Sequence, residues 1–124
     1  MTEFARTEWE RAERTLASAK QLAESDPDSA ASRAYYAAVH ALTAVLAVRG
    51  KTFSKHSALR AALHRDLIQT GLLNEELGRD YDFLLDLRET GDYGGPVQVS
   101  PMSARLAIEK AALFLTAMFS LLTV

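Results

Sequence analysis

The 124-residue chain has no cysteine, which excludes a disulfide framework, a thiol nucleophile and a thiolate metal site, and makes a reducing, cytoplasmic setting the natural expectation. Proline and glycine are scarce, at three and six residues. They fall largely between long stretches of helical period. Long hydrophobic runs are absent as well. The most apolar stretch, Ala111 to Val124, is about 14 residues, too short to cross a bilayer, so no membrane partner is expected and the segment reads as a buried helix end or a subunit contact. The opening MTEFARTEWERAERTL alternates acid and base and lacks the apolar core of a signal peptide. Nor does one sign of charge dominate: the formal net charge is −2, so nucleic-acid binding would need a local basic cleft. The length fits one domain, residues 1–124, with a real core.

What is present is helix. Five segments follow from periodicity and punctuation. The first runs from about Thr2 to Glu24, with Trp9, Ala12, Leu16, Ala19 and Ala23 on one face. Asp26 and Pro27 cap and start a second, which Gly50 ends after Arg49. Ser54 is placed to cap a third from Lys55 to about Thr70, stopped by Gly71. Asn74 caps a fourth reaching about Thr90, and Gly91 is expected to end it. An irregular GDYGGPVQV segment follows, and Ser100 with Pro101 restarts a fifth helix to the C-terminus. The expected fold is all-α, an up-and-down four-helix bundle with an additional or broken helix. The second helix is its centre, apolar around most of its circumference except a strip of Arg33, Tyr36, Ala37, His40, Thr43, Ala44 and Ala47.

That strip holds the chemistry. At 3.6 residues per turn Arg33 and His40 point the same way within about 20° and lie about 10.5 Å apart along the axis. Desolvating such groups is unfavourable without partners, so they form either a satisfied polar network or a site. By the same projection His56 lines up with Leu59, Leu63 and Leu67 and faces inward, and Arg88 lies on the apolar side of its helix. A buried arginine needs a counter-charge. Asp92 can fold back to supply it while Tyr93 covers the turn; an ion pair tying down the glycine segment is the structural alternative to a working pair. The histidines at 40, 56 and 64 lack metal-ligand spacing, and no phosphate-cradling glycine loop or serine-nucleophile motif occurs. Neither a metal nor a cofactor is expected.

SRAYYAAVHALTAVL, then GKTFSKHSAL, then LRETGDYGG and a last long apolar helix together resemble the HEPN domain, in particular its short stand-alone prokaryotic members, over about residues 5 to 122. The resemblance implies a dimerising helical bundle, often encoded beside a minimal nucleotidyltransferase as a toxin and antitoxin pair. Many such proteins are metal-independent ribonucleases marked by an arginine, four to six residues, then a histidine. Arg33 and His40 enclose six. On this footing Arg33 and His40 are the candidate catalytic residues, as phosphate clamp and as general acid or base. Tyr36, His56, Arg88, Asp92 and Tyr93 are the candidate substrate- or nucleotide-binding residues. The implied partners are a second copy of the chain, a nucleotidyltransferase antitoxin that modifies Tyr36 or Tyr93, and RNA or a nucleotide. Ala34, where active members commonly carry a polar residue, and the mild acidity favour the alternative: a non-catalytic nucleotide-binding or protein-interaction module.

Overall fold

The computed structural model describes residues 1–122. Among them are five helices and no strand: α1 (Glu3–Leu22), α2 (Pro27–Val48), α3 (His56–Ala62), α4 (Glu75–Tyr93) and α5 (Pro101–Leu122). Local capping chemistry starts most of them. Thr2, Asp26 and Asn74 each accept a backbone N–H of the first turn through a side-chain oxygen, and the Ser103 N–H donates to Ser100 Oγ ahead of α5. Each such cap satisfies a donor the helix itself cannot. Gly50 and Gly71, both at φ +82°, turn the chain after α2 and after the third helical segment.

The third segment departs from expectation. Ser54 does not cap it; Lys55 holds the cap position with no side-chain bond. The helix is regular only to Ala62 and then widens into a π-helical turn over Leu63–Ile68, closed by the Gln69 N–H on the His64 carbonyl. This is the broken helix of the bundle. Its inner row, Leu59, Leu63 and Leu67, is buried as expected.

Helix α2 is the hub, packed along α1, α4 and α5. Its Tyr35, Leu42, Val45 and Leu46 are fully buried with Tyr81 of α4 and Phe114 and Met118 of α5. Removing such a residue from water stabilises by roughly 1.5–3 kcal/mol. Ala37 and Ala44, assigned from the sequence to the open strip, are completely buried. Small side chains there suit close helix contact, and α1, with its own Ala5, Ala12 and Ala19 at zero exposure, makes its most extensive packing with α2. The upper part of the strip remains open.

Asp28 in the first turn of α2 accepts the Val99 N–H at 2.8 Å, tying the start of α2 to the linker before α5. Asp80, the one fully buried charged residue among those described, is neutralised by Lys110 Nζ at 2.9 Å. Among the described residues no helix is long and apolar enough to cross a membrane. In the C-terminal stretch Phe114, Leu115, Met118 and Leu122 are buried whereas Leu113 and Phe119 are exposed; its last two residues lie outside the described range. Between α1 and α5 an open trough of about 440 Å³ is lined by Trp9, Leu16, Leu115 and Phe119.

Candidate functional site

Three helices meet at the open end of the α2 strip and form a groove of about 410 Å³. α2 supplies Ser29, Ser32, Arg33, Tyr36 and His40, α1 supplies Thr15, and the last turn of α4 supplies Asp92. Arg33 and His40 therefore open onto one cleft, as their helical bearing requires. Arg33 is exposed and makes no ion pair among the described residues. His40 is held: its Nδ1 lies 2.5 Å from Glu8 Oε2 of α1, with the two side chains 25% and 13% exposed. A carboxylate on Nδ1 places the proton there and leaves Nε2 with its lone pair in the neutral imidazole.

Glu8 is not among the residues that the sequence singles out. A signal was available. Glu8 and Thr15 stand on the same helical row as the buried Ala5, Ala12 and Ala19, the row α1 turns towards the interior. A carboxylate interrupting a row of alanines is the mark of a side chain with a partner elsewhere.

Arg88 forms the wall behind the groove. Its Nη2 donates to the Tyr36 hydroxyl at 2.8 Å. Its Nε lies 3.0 Å from Asp92 Oδ2, an ion pair one helical turn apart whose alignment is not that of a hydrogen bond. The guanidinium carbon sits 5.6, 5.3 and 5.4 Å from the ring centroids of Tyr35, Tyr36 and Tyr93. Burial opposes the Arg88 charge, but Tyr36, Tyr93 and Asp92 more than restore it and keep its pKa above the ordinary value. Cation–π and charge-assisted bonding thus fix this side chain from several sides.

The expected fold-back of Asp92 is corrected by the structure: α4 continues through Gly91 to Tyr93, so Asp92 reaches Arg88 from within the helix. Gly91 serves close approach instead of termination. A Cβ there would lie 3.0 Å from the Asp28 carbonyl oxygen, tighter than side chains ordinarily pack, so glycine suits the close approach of α4 to α2. His56 turns inward as its helical bearing requires but is not buried. It is exposed at the start of α3, and only its ring packs inward, 6.1 and 5.8 Å from the Tyr35 and Tyr36 rings, with Nδ1 3.5 Å from the Tyr35 hydroxyl. Burial pushes the Tyr35 phenol up from its usual pKa.

His56 belongs to a second groove, about 290 Å³, lined also by Tyr35, Ser57, Arg60, Arg88 and Glu89. Tyr93 is 72% exposed at the tip of α4 with its ring against Arg88. The structure thus gathers Arg33, Tyr36, His40 and Asp92 in one groove and His56 and Arg88 in its neighbour. Among the described residues no three His, Cys, Asp or Glu side chains converge as a metal site would require.

A family model described as HEPN domain matches residues 5–121. A UPF0332 protein of Thermotoga maritima is 39% identical over 113 residues, covering 90% of this chain and 86% of its own. A protein of Methanocaldococcus jannaschii named "Putative toxin MJ0142" is 28% identical over 107 residues, covering 86% of this chain and 73% of its own. Among solved structures, TT1696 from Thermus thermophilus superposes with a TM-score of 0.82 at 22% identity, covering 97% of this chain and 99% of that one.

Proposed function

The chain belongs to the HEPN domain family, and on that premise we propose that it is a metal-independent endoribonuclease acting as the toxin of a toxin and antitoxin pair. One observation carries the reading: Arg33 and His40 share an open groove in which Glu8 clamps His40 through Nδ1. RNA cleavage without metal needs a base for the 2′-hydroxyl proton, an acid for the leaving oxygen and positive charge at the crowded phosphorus. His40 Nε2 takes the 2′-hydroxyl proton as the oxygen attacks phosphorus. The 5′-oxygen leaves with a proton, giving a 2′,3′-cyclic phosphate and a 5′-hydroxyl. Arg33, free at the lip, holds the non-bridging phosphate oxygens with its fork of donors. In a homodimer with the two grooves facing across a two-fold axis, the second His40 supplies the leaving-group proton. The name of the archaeal relative is consistent with a toxin, and a nucleotidyltransferase antitoxin would reach the exposed Tyr93 more readily than the half-buried Tyr36.

The test is direct. His40→Ala abolishes cleavage of single-stranded RNA and growth inhibition on expression, while the melting temperature stays close to that of the parent, since His40 is partly exposed and outside the main core. A wild-type protein that cuts no RNA ends this reading.

A second reading has its own support. Arg88 donates to Tyr36, pairs with Asp92 and packs against three aromatic rings, as suits a structural network in a module that binds a nucleotide or a protein without chemistry. Retained nucleotide binding by a protein inert towards RNA distinguishes it.

A further inference from the structure

The groove at the open end of the α2 strip holds little positive charge for the work proposed there. Among its lining residues only Arg33 is a fixed cation, whereas Asp92 brings a carboxylate and Glu8 a second one behind His40. Arg88 already donates to Tyr36 and pairs with Asp92. Arg33 also stands about 10.5 Å along α2 from His40, so a phosphate beside the imidazole meets this guanidinium from one end alone. Helix α1 supplies a candidate for the gap. The Asp26 N–H on the Leu22 carbonyl closes the turn between the antiparallel α1 and α2, and the Glu8–His40 contact sets their register. In that register Thr15 comes level with Arg33, and both line the groove. Arg11 lies between. Its level along the paired helices is about 4.5 Å from that of His40 and about 6 Å from that of Arg33, at 1.5 Å per residue. Steps of three and four place it on the same flank of α1 as Glu8 and Thr15. It is exposed, and among the described residues it makes neither a hydrogen bond nor an ion pair. The carboxylate one turn before it, Glu8, is already held by His40.

We infer that Arg11 is a second phosphate-binding arginine of this groove, folding over its mouth from α1 to hold, against Arg33, the phosphate beside His40. The inference rests on the ribonuclease reading for the place of the phosphate and adds the group that grips it from the opposite wall. Two planar forks on different helices bind a tetrahedral phosphate from two directions and fix its orientation towards His40 Nε2, which one fork at the far end does not. They also act where charge grows. The crowded phosphorus of the transition state carries more negative charge on its non-bridging oxygens than the diester does, so a second guanidinium favours it further. Arg14, also exposed and also without an ion pair among the described residues, is turned about 60° further away from the groove. It is the matched control.

The experiment compares two non-cleavable 2′-O-methyl dinucleotides, one with a phosphodiester and one with an uncharged methylphosphonate link, by calorimetric titration of the full chain at fixed ionic strength. The parent protein binds the charged form at least about tenfold more tightly, the scale of charge-assisted hydrogen bonds. Arg11→Gln lowers that preference about fivefold, Arg11→Lys restores part of it by keeping the charge without the fork, and Arg14→Gln leaves it within about twofold. Circular dichroism verifies the fold of each variant. A preference that Arg11→Gln leaves alone, one that Arg14→Gln lowers equally, or indifference of the parent protein to the charge overturns the assignment. Cleavage of unmodified RNA, measured on the same preparations, keeps the two readings apart: cleavage and preference that both survive Arg11→Gln defeat the second arginine alone, and a preference lost with Arg11→Gln in a protein that cuts no RNA defeats the catalyst alone.

Discussion

Two hollows flank α1, and they are nearly the same size, about 440 Å³ on the α5 side and about 410 Å³ on the α2 side. Their linings differ: the first mixes apolar side chains with Glu13, Lys20 and Thr116, and the second is polar throughout. The α5 trough is walled by Trp9, Leu16, Leu115 and Phe119, with the Trp9 and Phe119 rings 5.6 Å apart. The α2 groove is walled by hydroxyls, a guanidinium, an imidazole and a carboxylate. Volume therefore does not tell the two hollows apart. The same helix presents Leu16 to one side and Thr15 to the other, and the side chains decide.

The sharpest way to break the comparison is to trade activity between the hollows. His40→Ala is expected to lower RNA cleavage by about 10³-fold or more, the scale of removing the proton-transfer group from a concerted site, whereas Phe119→Ser in the trough leaves the specific rate within about twofold. A large loss from Phe119→Ser would show that the trough belongs to the machinery. Next comes Glu8→Gln, which keeps the shape but loses the charge that fixes the His40 tautomer; cleavage falls by about 10²-fold with the melting temperature nearly constant. If Glu8→Gln is fully active, the pairing is structural only.

Smaller effects concern stability. Leu42→Ala, in the core beneath both hollows, costs about 2–5 kcal/mol in urea unfolding. Arg88→Met removes the bond to Tyr36 and the ion pair with Asp92 and costs about 2 kcal/mol; a neutral result would separate the polar wall from the fold. The mildest prediction is a pH limb that neither hollow owns. Although burial alone would raise the Asp82 pKa, bonds from Arg60 and His64 hold it below its usual value. The folded state therefore prefers the ionised carboxylate. Its contribution is fully present above the ordinary aspartate range near 4 and is lost as pH falls below it. Asp82→Asn flattens that limb in thermal melts, and any acid loss of cleavage above it belongs to the groove.

The bundle was legible because its determinants are local. Thr2, Asp26 with Pro27, Asn74, and Ser100 with Pro101 announce helix starts within a few residues of where they act. The shared bearing of Arg33 and His40 was legible for the same reason: it follows from spacing within one helix. What escaped was set by distant chain. Gly91 looked like a stop because its neighbour across the bundle, the Asp28 backbone, has no trace in the local sequence. The Glu8 partner of His40 lies on another helix. His56 shares a row with three leucines, yet α3 begins at His56 itself and its outer end is open to solvent.

Gly91 has one more consequence. The first turn of α2 is held by the Val99 amide on Asp28, so a methyl group added at position 91 would press against a tethered segment. The two helices would part slightly at this end, shifting Asp92 and Tyr93 with the tip of α4. The spacing between the tip of α4 and the first turn of α2 is thus gauged by one absent carbon atom.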